Sequence, residues 1–149
     1  MDLILDRIKE DMKASMKGGN KARLGVIRLI LAAIKQVEVD ERITLDNDRV
    51  IIVLDKMLKQ RRESIRQFSD AGRNDLVDIE EAEVLVIQDF LPQALTDEEI
   101  VTMIKDAIAE SGAESVKDMG KVMGLLKGKM QGRADMSMVG AKIKAALAG

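Results

Sequence analysis

The feature that most constrains the fold is the spacing of apolar residues, which follows a helical period through almost the whole chain. Apolar side chains recur three or four residues apart in every long segment, and no segment alternates between apolar and polar residues as a half-buried strand does. Layers of packed helices are the way to bury faces of this kind. The sequence therefore predicts an all-α protein.

Turn signals divide this pattern into four N-terminal helices. The first has an apolar face and ends at GGN (residues 18–20), and the second spans about residues 21–38. The third is expected to begin after Thr44 as N-cap and to end at Gly72. The fourth runs from near Asn74 to FLP, because Pro92 cannot continue a helix. The predicted apolar face of the first helix consists of Leu5, Ile8, Met12 and Met16.

Three more helices are predicted beyond the proline. Thr96 and Glu99 have the spacing of a capping box, and the helix that they open should stop near Gly112. Ser115 is expected to cap the sixth helix, and GRAD (residues 132–135) to form a turn before a seventh helix from about Ser137 to Ala148. The predicted core face of the sixth helix consists of Val116, Met119, Val122, Met123, Leu126 and Met130.

Pro92 is the only proline and the best candidate for a domain boundary. We predict an N-terminal four-helix domain over residues 1–92 and a small three-helix domain over residues 93–149. The charge also changes along the chain, with a net charge of +3 over residues 1–75, −10 over residues 76–114 and +5 over residues 115–149. A basic end on an acidic chain suggests a local anionic partner, although a solvated lysine face is the alternative.

The composition argues against independent catalysis. The chain has no Cys and no His, which removes thiolate chemistry, the commonest general base and the commonest metal ligand. No Gly-x-Ser-x-Gly motif occurs, and the acidic clusters fall in first helical turns, where carboxylates favour the helix dipole. We expect no catalytic residue, no metal and no cofactor.

Three glycines stand four residues apart in the sixth helix, within MGKVMGLLKGKMQG (residues 119–132). A glycine inside a helix costs about 0.8–1 kcal/mol relative to alanine, so something must favour a bare backbone there. Either a neighbouring helix packs closely, or a phosphate backbone approaches between lysines. We predict a nucleic-acid-binding face made of Gly120, Gly124, Gly128, Lys117, Lys121, Lys127, Lys129 and Arg133.

Within this face Arg133 is expected to differ from the lysines, because a planar guanidinium can hold one phosphate with two hydrogen bonds. Asp135 is expected to cap the seventh helix rather than to contact RNA. The chain contains two Phe and no Trp or Tyr, which argues against recognition of single strands by base stacking.

Two charges interrupt apolar stripes in the N-terminal half. Arg61 falls in the middle of the stripe of the third helix (Val50, Leu54, Met57, Ile65, Phe68), and Glu83 in that of the fourth (Leu76, Ile79, Val86, Ile87, Phe90). Both lie about three turns from the bend at Gly72, so a largely buried ion pair is predicted, with an anionic ligand for Arg61 as the alternative. Lys59, Arg62 and Arg66 should form a secondary basic stripe facing outward.

The segment GKVMGLLKGKMQGRAD, followed by an amphipathic helix, resembles the signature of the GatB/YqeY family. The segments VIRLILAAIKQVE, KQRRESIRQF and EEAEVLVIQDFLP are similar to the stand-alone YqeY-like branch. One departure is Met136, where many members have Gly. The resemblance implies a tail like that of the B subunit of tRNA-dependent amidotransferases, which are carbon–nitrogen ligases with glutamine as amide donor. It implies no amidotransferase active site in this chain.

Two functions follow as hypotheses. The first is a non-catalytic tRNA- or RNA-binding protein that assists tRNA-dependent amidation or other handling of aminoacyl-tRNA, with a possible protein partner in translation. The second is a helical adaptor for an acidic protein. The N-terminus does not resemble a signal peptide, and the run LILAAI is too short to span a bilayer. We therefore expect a cytoplasmic protein with no membrane contact, and the family resemblance implies a bacterial one.

Overall fold

The computed structural model describes residues 3–148, and its regular structure there is entirely helical. Seven α-helices and one 3₁₀ turn follow one another without a strand in this range, which confirms the all-α prediction. Contacts divide the chain into two units, Met1–Leu91 and Pro92–Gly149. The domain boundary that the sequence suggests after Pro92 stays a prediction.

The first unit contains four helices, α1 (Ile4–Lys17), α2 (Lys21–Glu41), α3 (Asn47–Asp70) and α4 (Asn74–Gln88). Its core is dominated by branched aliphatic residues, among which Ile8, Ile27 and Leu54 are fully buried. The longest pairing is the hairpin of α3 and α4, which bends at Gly72 with a φ of 72°. That positive φ is the conformation glycine adopts at low cost, so the predicted stop of α3 is confirmed.

The second unit contains α5 (Asp97–Ser111), a 3₁₀ turn (Val116–Asp118), α6 (Met119–Met130) and α7 (Met136–Ala148). The predicted capping box is confirmed, because Thr96 Oγ1 accepts from the Glu99 N–H and Glu99 accepts from the Thr96 N–H. Gly112 ends α5 with a φ of 68°, as predicted. The small core contains Ile100, Ile104, Ala107, Val122, Leu126, Met130, Val139 and Ile143.

Two predicted caps are wrong. The helix α3 begins at Asn47 rather than after Thr44, and Asp46 caps it by accepting from the Arg49 N–H at 3.0 Å. Leu45 is buried and its N–H donates to Glu38, which holds the loop in place and moves the helix start downstream. Ser115 precedes the 3₁₀ turn and makes no side-chain capping bond.

Three predicted core residues are also wrong. Met16 is 55% exposed and Ser15 is buried in its place, so the buried face of α1 is rotated by about one residue. Ile79 in α4 is 58% exposed. Val116 is 38% exposed, because it lies in the 3₁₀ turn before α6, where the 3.6-residue period does not continue.

Candidate functional site

The helix α6 is anchored by one apolar face. Val122, Leu126 and Met130 are buried at its centre, and Met119 and Met123 pack against the same core from the edge. Residues three, four and seven apart share a face of an α-helix, so these contacts fix the rotation of α6 about its axis. The glycines therefore lie on the side away from the core.

Along that side, Gly120, Gly124 and Gly128 form a strip that we call the glycine strip. All three are exposed, and a Cβ atom placed on any of them would have no non-neighbouring atom within 4 Å in the described part of the chain. At a rise of 1.5 Å per residue the strip is about 12 Å long. No helix of this part of the chain occupies it.

Close packing occurs instead at a glycine of the neighbouring helix. Gly140 of α7 is buried, and a Cβ there would lie 3.5 Å from Cε of Met123 and 3.6 Å from Cε of Met119. The glycine of α7 thus accommodates two methionines of α6. The close-packing interpretation that the sequence allowed for the glycine strip applies to Gly140.

Three exposed lysines border the glycine strip. Lys117 comes from the 3₁₀ turn, while Lys121 and Lys127 lie on α6. Lys121 Nζ is 3.9 Å from Asp118 Oδ1, at the outer limit of an ion pair. At 100° per residue Lys121 and Lys127 each lie about 60° from the central Gly124, one on either side, whereas Lys129 lies about 140° from it and is off the strip. Lys127 and Lys129 both stand in the last turn of α6, where cations stabilise the helix dipole.

Arg133 holds the start of the second unit against the turn between α6 and α7. Its Nε donates to the carbonyl of Gln93 at 3.0 Å, and its own carbonyl accepts from the Leu95 N–H at 2.8 Å. Asp135 Oδ1 accepts from the Ser137 N–H at 3.0 Å, at the start of α7. One edge of the Arg133 fork is therefore committed to the fold.

The secondary basic stripe of α3 is largely neutralised by acids of the same helix. Lys59 Nζ is 3.4 Å from the buried carboxylate of Asp55, and Arg66 pairs with Glu63. Lys59 and Arg66 are exposed and Arg62 is half-buried. The stripe therefore offers much less free positive charge than the sequence alone suggests.

Arg61 and Glu83 lie opposite each other between α3 and α4. Arg61 Nε is 3.7 Å from Glu83 Oε2, and the two side chains are 15% and 19% exposed. The distance is too long for a hydrogen bond, and Arg61 Nε is buried without a hydrogen-bond partner in the described part of the chain. Burial, together with the charge of Glu83, raises the pKa of the nearby Glu80.

Sequence reasoning missed a second charged cluster, which joins α1, α2 and the end of α4. Arg23 contacts Asp11 at 2.6 Å and Asp89 at 2.8 Å, and its guanidinium carbon lies 5.6 Å from the centre of the Phe90 ring. The hydrogen bond from Arg23 lowers the pKa of Asp11, and the two carboxylates raise the pKa of Arg23.

A signal for this cluster was present in α1, because Asp11 and Ser15 fall on the helical face that Ile4 and Ile8 begin. An open cavity of about 540 Å³ lies beside the cluster. The charged groups of the cluster already pair with one another, since Arg23 contacts both Asp11 and Asp89. We therefore assign the cluster a structural role in the first unit.

The part of the chain that the structure describes contains neither a metal-binding cluster nor a membrane-spanning helix. Within residues 3–148 no three acidic side chains come close enough to hold a metal ion. Over the same residues no helix is both long enough and apolar enough to cross a bilayer.

Comparison with known proteins provides the family. The profile described as Yqey-like protein matches residues 5–147. A relative in Pyrenophora tritici-repentis, named Altered inheritance of mitochondria protein 41, mitochondrial, is 31% identical over 96% of this chain and 80% of its own length. Two proteins of the same name are also similar. The one in Lachancea thermotolerans is 29% identical over 91% of this chain and 76% of its own length. The one in Eremothecium gossypii is 38% identical over 63% of this chain and 54% of its own length.

These relatives correct two expectations. They are fungal, and their names place them in mitochondria, so the expectation of a bacterial, cytoplasmic protein is wrong. The expected location was based on an N-terminus unlike a signal peptide and on the shortness of the apolar runs, and neither property distinguishes the cytoplasm from the interior of a mitochondrion.

Proposed function

Because the chain belongs to the YqeY-like protein family, we propose that it is a non-catalytic RNA-binding protein that holds tRNA on the glycine strip of α6. The observation that carries the proposal is that the strip lies open between exposed lysines. The names of the relatives describe mitochondrial inheritance and mention no RNA, so the support comes from α6 itself.

The glycine strip suits a phosphate backbone for two physical reasons. Without Cβ atoms a phosphate can come close to the helix, and Lys117, Lys121 and Lys127 can then reach its oxygens from both sides. Binding of this kind recognises the shape and charge of a folded RNA and does not need aromatic side chains. Both phenylalanines lie in the first unit, Phe68 half-buried and Phe90 buried, away from α6 in the sequence.

In this proposal the site is smaller than the one predicted from the sequence. Gly120, Gly124 and Gly128 admit the backbone, and the three bordering lysines supply the charge. Lys129 is excluded by its position around the helix, and Arg133 contributes to the fold through Gln93. A role as accessory to tRNA-dependent amidation or another step in aminoacyl-tRNA handling is part of the same proposal.

The experiment is a titration of the whole protein with bulk tRNA over a series of salt concentrations, followed by fluorescence anisotropy. Gly124→Leu should lower the affinity at least about tenfold, or roughly 1.4 kcal/mol, because the side chain blocks close approach. The thermal stability should stay the same or rise, because leucine is the better helix former by up to about 1 kcal/mol and nothing lies within 4 Å.

Matched controls are available for both elements of the site. Gly25→Leu makes the same change at an exposed glycine inside α2, also in open space, and should leave the affinity unchanged. Lys127→Gln should reduce the slope of log affinity against log salt by about one, whereas Lys129→Gln should not change it. Early melting of Gly124→Leu, or tRNA binding that does not weaken with salt, would refute the proposal.

A further inference from the structure

One face of α4 is both apolar and acidic, and it is not covered by any part of residues 3–148. Leu85 is 66% exposed, more than any other large apolar side chain described, and it shares its side of the helix with the exposed residues Asp78, Glu81 and Ala82. We call these four residues the acidic α4 face. Ile79, which is also exposed, lies at its edge.

The two acids of this face have no partner in the described part of the chain. Asp78 and Glu81 form neither an ion pair nor a hydrogen bond with any side chain there, whereas Asp75 of the same helix is paired with Arg73. No Lys or Arg occurs anywhere in α4. An exposed leucine between unpaired carboxylates is therefore left for a surface of opposite charge.

The chain itself contains a surface with the complementary properties. The glycine strip is flat and uncovered, and it is bordered by Lys117, Lys121 and Lys127. Small residues at every fourth position allow another helix to come close, as they do in tightly packed helix pairs. Leu85 is a projecting apolar side chain that such a surface can accept.

We propose that the acidic α4 face of one copy packs on the glycine strip of a second copy. Leu85 lies over the strip near Gly124, and the carboxylates of Asp78 and Glu81 pair with the bordering lysines. Two different surfaces meet in this contact, so it joins copies head to tail, into a ring if the rotation between copies closes and into an open filament if it does not. Because much of the attraction is between exposed charges, the association should weaken with salt.

The same strip would then be shared between two partners. If the strip binds tRNA, a second copy and tRNA exclude each other, and self-association regulates RNA binding. That consequence rests on the proposed function. The self-association itself does not, and it is measured without RNA.

The experiment uses sedimentation equilibrium of the whole chain at several concentrations, in low and high salt. Wild-type protein should associate in low salt and become monomeric in high salt. Asp78→Lys/Glu81→Lys makes both surfaces positive, and Lys121→Glu/Lys127→Glu makes both negative. Each double variant alone should lose at least about tenfold in association constant, because like charges then face each other. A mixture of the two should associate again.

Asp106→Lys/Glu110→Lys is the matched control for Asp78→Lys/Glu81→Lys. It reverses two exposed acids on α5, which have no ion-pair partner among residues 3–148, and gives the same net charge as the α4 variant. Because the acidic α4 face and the lysines of the glycine strip are unchanged, it should associate as strongly as the wild type. Wild-type protein that stays monomeric at every concentration in low salt would overturn the proposal, and so would an equal loss of association in the α5 and α4 variants.

Separate outcomes distinguish this proposal from the RNA-binding one. Self-association with no tRNA binding would remove the proposed function and leave the contact between copies. Binding of tRNA by a protein that never self-associates would remove the contact between copies and leave the proposed function. If both are observed, saturating tRNA should disperse the wild-type assembly, and an assembly that tRNA leaves intact would show that the copies meet elsewhere.

Discussion

The seam between α3 and α4 and the outer side of α6 both depart from the ordinary pattern of a helix, and their tertiary outcomes are opposite. In the seam, Arg61 and Glu83 interrupt apolar stripes, yet the two side chains are largely covered. On α6, three glycines give up helix stability, yet nothing in the described part of the chain covers them. The charged pair therefore lies inside the structure, whereas the three glycines lie on its surface.

The difference shows how an anomaly in a sequence pattern can be interpreted. A charge within an apolar stripe has an expected partner when a neighbouring helix carries the opposite charge at the same distance from the bend. Glycines at a helical spacing have no such internal counterpart, because both a helix and a ligand can use a bare backbone. Gly140, which packs against two methionines, shows that this protein also uses glycine in the first way.

The largest expected effect comes from breaking the covered pair. Arg61→Met leaves Glu83 and Glu80 close together without a cation, and should lower the free energy of unfolding by about 2–3 kcal/mol at neutral pH. That is less than the 3–5 kcal/mol typical of fully buried pairs, because both partners keep some exposure. Urea denaturation followed by circular dichroism measures the change.

The double variant Arg61→Met/Glu83→Leu is the control for this prediction. It replaces the pair by apolar side chains of similar size and should recover most of the lost stability. If Arg61→Met alone is as stable as the wild type, the pair is not held in the seam, and the contrast with α6 disappears.

A smaller effect is expected from filling the covered glycine of α7. Gly140→Leu must displace Met119 and Met123, and overpacking of this kind should cost about 1–2 kcal/mol. Gly140→Ala places its Cβ at ordinary contact distances of 3.5 and 3.6 Å and should be neutral or slightly stabilising. Melting temperatures of the two variants, compared with that of Gly124→Leu, measure the contrast between covered and open glycines. Equal melting temperatures for Gly140→Leu and Gly124→Leu would contradict the claim that Gly140 is covered while Gly124 is open.

The smallest effect concerns the pH dependence of the α3–α4 seam. The pKa of Glu80 is raised, chiefly by burial and also by the charge of Glu83. A raised carboxyl pKa means that the folded state binds the proton more tightly, so this stabilisation is present below the ordinary pKa of Glu. It is lost as the pH rises through the raised value.

Glu80→Gln should therefore raise the melting temperature by about 1–2 °C at neutral pH. The gain should shrink as the pH falls toward the ordinary range of Glu, because the wild-type side chain then becomes neutral too. Thermal melts at a series of pH values measure this. A variant that gains stability equally at every pH would show that the charge of Glu80 is not responsible.

Much of the fold could be predicted because its signals are local. The capping box of Thr96 and Glu99 and the stop at Gly112 depend on residues within one turn of the helix end, and the structure has both. The predicted caps at Thr44 and Ser115 failed for two different reasons, a contact further along the chain at the first and a local 3₁₀ turn at the second. Leu45 is buried and bound to Glu38, and a 3₁₀ turn precedes α6.

The candidate site was predictable in composition and only partly in geometry. The glycines and lysines of α6 could be identified from their spacing, and the same spacing places Lys129 off the strip. The position of Arg133 could not be anticipated, because its hydrogen bond joins it to Gln93, forty residues away in the chain. The cluster around Arg23 likewise depends on Asp89, which α4 brings from a distant part of the sequence.

The sequence by itself determined that this protein is helical, where most of its helices lie, and the family to which it belongs. A helical period, a cap and a family signature are properties of neighbouring residues, so no distant contact is needed to recognise them. Only the tertiary structure decided which helix faces are covered: that Met16 is exposed while Ser15 is buried, and that the glycines of α6 are open while Gly140 is not. Whether a face is covered depends on which other helix reaches it, and that is set by packing between segments far apart in the chain.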